Sequence, residues 1–202
     1  MKPHTSFETG VLPFIIATLG EGAALFYWVQ LFDDGRFLLA TLVLWAGFLA
    51  ERLAVLFWVN KNFGTTVGVA SAAKPAWQRV LGILAITLSE ILIWVAFFLI
   101  AERFGYVAGF VVLFVLELLE HSMELGLLKG QPMASFLLDR TALTITALEA
   151  AGGVAMLYLV KSGRVWEGGL VLLAALAVEH VVQGGKIKPE AAAVPAMPGA
   201  TA

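Results

Sequence analysis

Six glutamates recur on a fixed pattern inside stretches that are otherwise apolar. Three segments, "TLGE", "TLSE" and "TALE", place Thr18, Thr87 and Thr146 three residues before Glu21, Glu90 and Glu149. A second glutamate follows each of these by 30 residues, at Glu51, Glu120 and Glu179. The next residue is Arg52 in the first copy and His121 or His180 in the other two. Glu117 and Glu124 flank the second copy, three before and four after Glu120, on the same face of a helix.

Carboxylates, two imidazoles and no cysteine make a hard, oxygen-rich ligand set that suits iron, manganese or zinc. The metal ligands read from the pattern are Glu21, Glu51, Glu90, Glu120, His121, Glu149, Glu179 and His180. Arg52, Thr18, Thr87, Thr146, Glu117 and Glu124 are read as residues around them: a counter-ion, hydroxyl partners and an extension of the site toward one membrane face. The inventory of Glu and His is similar to that of soluble di-iron carboxylate bundles, a chemical analogy only. The spacing is not similar, because those proteins use Glu-x-x-His and here His directly follows Glu. Neighbouring residues point about 100° apart on a helix, so one of each pair is expected to face the centre and the other a neighbouring helix. Two histidines on separate helices could also hold haem, but a ring of carboxylates is a poor neighbour for a porphyrin face.

The elements that must position these residues are membrane helices. Of 202 residues, 60% are hydrophobic and 14% charged, and the mean hydropathy is +0.88. Soluble domains carry about a quarter charged residues. Six apolar runs reach the roughly 20 residues that a span requires: 11–30, 37–59, 78–101, 106–128, 138–160 and 165–184. The first reads as a retained span, not a cleaved leader. The expected fold is therefore an all-α polytopic membrane protein, with one six-helix domain over 1–184 and a disordered, Ala/Pro-rich cytoplasmic tail over 185–202.

Short turns at "FDDGR", "AERFG" and "KSGRVW" alternate with longer connections over 60–79 and 129–140. The helices are thus expected to pair as three hairpins, 11–59, 78–128 and 138–184, related by a pseudo-threefold internal repeat. Lys and Arg are more frequent on the side of the termini, which predicts an inner-membrane protein with both termini in the cytoplasm. Both glutamates of each hairpin lie about 15 residues from its turn, so all six should form one layer around the membrane midplane or in its cytoplasmic half. A charge at that depth costs at least ~2.5–3.5 kcal/mol. The carboxylates must therefore face the bundle interior and be neutralised by protons, Arg52 or bound cations.

Tyr27, Trp28, Trp58, Trp77 and Trp166 read as an interfacial belt, and Trp45 and Trp94 as packing residues. Gly152, Gly153, Gly168 and Gly169 read as points of close helix contact. The net charge of −2 and the lack of a basic patch speak against nucleic acid, and no nucleotide-binding motif is present. The lipid bilayer is the expected partner, with homo-oligomers or a larger membrane complex open. The leading expectation is an intramembrane metal site, such as a di-metal carboxylate centre for redox chemistry or metal handling. The alternatives are a cation- or proton-coupled transporter that uses the Glu layer, which should have broken helices there, and a small structural or haem-binding complex subunit.

Overall fold

A computed structural model describes residues 7–63, 76–129 and 132–186, with side chains over 12–55, 77–78, 80–123 and 132–182. The described residues are all-helical. Six helices run over Phe7–Asp33 (α1), Phe37–Phe63 (α2), Ala76–Phe104 (α3), Tyr106–Lys129 (α4), Arg140–Lys161 (α5) and Val165–Lys186 (α6). Each contains a segment long and apolar enough to cross a membrane, from 18 to 25 residues. The outer surface agrees with that composition: Leu38, Val107, Leu170 and Val181 are among many large apolar side chains that point outward. The fold thus fits a multi-pass membrane protein with its apolar helix faces against lipid. The tail 187–202 and the connection 64–75 lie outside the described residues.

Three glycines end α1, α3 and α5. Gly35, Gly105 and Gly163 have φ of +71°, +92° and +80°, a region where a side chain would crowd the backbone. At Gly35 the Arg36 amide reaches back to the Leu31 carbonyl (2.8 Å) and the Gly35 amide to Phe32 (3.0 Å). Gly163 repeats this pairing, with Arg164 on Leu159 and Gly163 on Val160. At Gly105 a single bond to the Ala101 carbonyl replaces it. Both are glycine C-caps that satisfy terminal carbonyls and turn the chain back at once. Before α5 a 3-10 turn over Met133–Ser135 packs on α4, and Asp139 caps the helix by accepting the Thr141 and Ala142 amides.

Each helix packs most extensively on its partner across one of these turns. Further contacts join α2 to α3, α4 to α5 and α6 back to α1, so the six close a ring. Small residues let the backbones approach: a Cβ on Gly47 would collide with Ala24 and the Gly20 carbonyl, and one on Gly153 would lie 2.8 Å from the Trp94 ring. The apolar core fills the bundle between the glutamates and the tight turns, around Leu25, Phe48, Trp94, Leu113, Leu157 and Leu172. Trp28 belongs to that core and not to an interfacial belt. It is buried and packs edge-on against Phe98, because its position on α1 faces inward while Tyr27, one residue earlier, faces out. Trp77 and Trp166 are exposed, and the side chain of Trp58 lies outside the described residues.

At the tight-turn end, Lys161 Nζ lies 2.7 Å from Asp33 Oδ1 and 3.0 Å from Glu102 Oε1, above the Phe98 ring. These three residues stand twelve positions after Glu149, Glu21 and Glu90 respectively.

Candidate metal centre

Buried carboxylates are costly unless each finds a proton, a cation or a hydrogen-bond donor. The ring of helices gathers seven of them. Glu21 from α1, Glu51 and Arg52 from α2, Glu90 from α3, Glu117, Glu120 and His121 from α4, Glu149 from α5, and Glu179 and His180 from α6 line one cavity. All seven glutamates and both histidines are buried. The side chain of Glu124 lies outside the described residues.

Arg52 gathers one part of the layer. Its Nη2 donates to Glu90 Oε2 (2.7 Å) and Glu120 Oε1 (3.0 Å), and its Nε lies 3.3 Å from Glu51 Oε2. His121 gathers another. Its Nε2 lies 3.0 Å from Glu179 Oε1 and 3.5 Å from Glu149 Oε2, while its Nδ1 lies 2.9 Å from Thr146 Oγ1. His180 follows the same scheme more loosely, with Nδ1 3.0 Å from Thr18 Oγ1 and Nε2 3.9 Å from Glu21 Oε2.

Both members of each Glu–His pair therefore reach the cavity. The 100° between neighbours separates the partners they meet without turning either one away from the centre. Among the described residues, the hydroxyls of Thr18 and Thr146 meet neither their own helix's glutamate nor their own backbone. Each threonine lies against a helix from elsewhere in the chain, where an imidazole meets its hydroxyl. Thr87 has no such imidazole to meet, and its buried Oγ1 has no hydrogen-bond partner among the described residues.

One trio has the makings of a metal site. Ligand atoms of Glu117, His121 and Glu149 all lie within 4.8 Å of one another, and all three residues are buried. No family model matches this chain, and no curated protein or solved structure matches it. The chemistry of the site thus rests on its own geometry.

Glu117 Oε1 and Glu149 Oε2 are buried without a hydrogen-bond partner among the described residues, although each residue is only 2% exposed. Two buried carboxylate oxygens left this way are expensive, and a cation or a proton held there would remove the cost. Neighbouring ligands around a metal with bonds of about 2.1 Å lie about 3.0–3.4 Å apart. The separations from His121 Nε2 to Glu179 and Glu149, 3.0 and 3.5 Å, are close to those values. With Thr146 on Nδ1, it is Nε2 that faces the carboxylates, the arrangement by which an outer hydrogen bond orients a ligating imidazole.

Spacing puts Glu117 on the same helix face as Glu120, and the structure brings it into the trio. A signal for this lies in the spacing pattern of the glutamates. The position three before the second glutamate is Phe48 in the first copy and Leu176 in the third, both fully buried. A carboxylate at an otherwise apolar inward position is the irregular member of the set.

Proposed function

We propose that this protein is an inner-membrane metalloprotein, with both termini in the cytoplasm, that holds divalent transition metal within its six-helix domain. The observation that carries the reading is the trio of Glu117, His121 and Glu149, which lines the cavity and includes two buried carboxylate oxygens without hydrogen-bond partners among the described residues. Glu21, Glu51, Glu90, Glu120, Glu179 and His180 complete the pool of ligands. Iron, manganese or zinc suits this set, and two divalent ions would offset four of the seven carboxylate charges. A paired carboxylate centre of this kind serves redox chemistry or metal handling.

The domain is read as three hairpins related by a pseudo-threefold repeat. Supporting this, the residue after each second glutamate reaches the T-x-x-E helix of the next hairpin: Arg52 reaches Glu90, His121 reaches Thr146 and Glu149, and His180 reaches Thr18 and Glu21. Equivalent positions also share their burial, as with Leu44, Leu113 and Leu172.

A fixed centre is favoured over a transport pathway. All six helices run unbroken through the glutamate layer, whereas ion sites of secondary transporters use interrupted helices. The tight-turn side of the cavity is also filled by Leu25, Phe48, Trp94 and Leu113.

The test is elemental analysis of the purified protein against a variant carrying Glu117→Gln and Glu149→Gln. Wild type should carry stoichiometric transition metal and the variant should lose most of it. Wild type free of such metal would refute the reading, and protein-dependent metal flux into proteoliposomes would move it to transport.

A further inference from the structure

We propose that Arg52 is a resident cation filling one of three equivalent carboxylate cradles, and that it thereby sets how many metal ions the cavity accepts. The inference rests on the metal-centre reading above and deepens it.

Three residues occupy the same place in the pattern, one after Glu51, Glu120 and Glu179. His121 stands among Thr146, Glu149 and Glu179. His180 stands against Thr18 and Glu21. In the first cradle the imidazole is replaced by a guanidinium, 2.7 Å from Glu90 and 3.0 Å from Glu120. A guanidinium is always charged, offers only donors and has no lone pair for a metal. Its fork fits carboxylates as a metal ion would, but permanently and at one positive charge. A divalent ion between Glu90 and Glu120 would have to displace it.

Thr87 supplies the independent observation. It is the counterpart of Thr18 and Thr146, is fully buried, and among the described residues its hydroxyl lacks the partner that both of those have. The cradle thus retains the hydroxyl that would orient an imidazole, without the imidazole. Metal is accordingly confined to the cradles of His121 and His180, and the chain takes no more than two ions.

The experiment titrates detergent-purified full-length protein with Mn(II), counts bound metal after desalting, and locates it by anomalous scattering. Wild type is expected to bind no more than two equivalents, none between Glu90 and Glu120. Arg52→His is expected to gain one equivalent, between those two glutamates. In an Arg52→His, Thr87→Val double variant that third ion should bind about tenfold more weakly or worse. Manganese between Glu90 and Glu120 in wild type would overturn the assignment, and that map requires no variant to fold. A folded Arg52→His protein with an unchanged count would overturn it equally. Wild type that binds no manganese and carries no other transition metal by elemental analysis defeats the metal-centre reading instead. If Arg52→His then gains an ion the assignment of Arg52 stands, and if it gains none both fall.

Discussion

The ring nitrogen Nδ1 of His121 lies 2.9 Å from the hydroxyl of Thr146, across the interface between α4 and α5. That contact fixes the imidazole plane, and the opposite nitrogen then faces Glu149 and Glu179. A threonine three residues before one glutamate thus positions the histidine that follows another.

Thr146→Val keeps the shape of the side chain and removes the hydroxyl. Outer hydrogen bonds of this kind are typically worth about 10–100-fold in metal affinity, so the variant should bind Mn(II) or Zn(II) more weakly by that factor. Thr146→Ser should restore most of the loss. Competition titration against a chelator of known affinity checks both, and equal affinities for all three proteins would remove Thr146 from the site.

Thr87→Val should behave in the opposite way. Its hydroxyl is buried without a partner among the described residues, and a buried unsatisfied group costs about 1–3 kcal/mol. The thermal midpoint in detergent should hold steady or rise, whereas Thr146→Val should lower it. A drop as large as that of Thr146→Val would mean that Thr87 has a partner after all.

Glu117→Leu separates stability from binding. Phe48 and Leu176 fill the equivalent positions and are fully buried, so the site tolerates an apolar side chain of that size. Replacing buried charges by well-packed apolar groups is often neutral or stabilising by about 1–4 kcal/mol. The variant should be at least as stable as wild type and should lose metal. Retained stability with full metal content would exclude Glu117 as a ligand.

Gly153→Ala tests the packing beneath the site. The added Cβ would sit 2.8 Å from the Trp94 ring and 3.0 Å from Leu113 Cδ2, and overpacking of that kind costs about 1–3 kcal/mol. Combining it with Trp94→Phe should recover part of the loss, measured as thermal midpoints of the single and double variants.

The spans were readable because lipid imposes long apolar runs: 37–59 and 106–128 reappear within α2 at Phe37–Phe63 and α4 at Tyr106–Lys129. The convergence of the glutamates was readable for a related reason, since equal distances from three tight turns put them at one depth. What periodicity does not carry is the order in which helices meet around the ring. Thr146 and His121 pair across two helices whose adjacency depends on packing, so their bond has no signature in spacing. Glu117 was legible only as sharing a face with Glu120, and separating the centre of that face from its edge requires the neighbouring helices. Trp28 was misplaced because nearness to a span end says nothing about which way a residue points.

The cluster of Asp33, Glu102 and Lys161 has a consequence for how such a domain can come about. In a trimer of identical hairpins, symmetry would put three copies of one residue on the axis, and their like charges would repel. Under the threefold reading, a lysine meeting two acids there requires that the three units diverge from one another. Joining them in one chain permits that divergence, as it permits a single arginine among histidines and a single extra glutamate among apolar residues. Under that same reading, covalent linkage of the copies gives the protein a centre with distinct sides, which no symmetric assembly of its parts could possess.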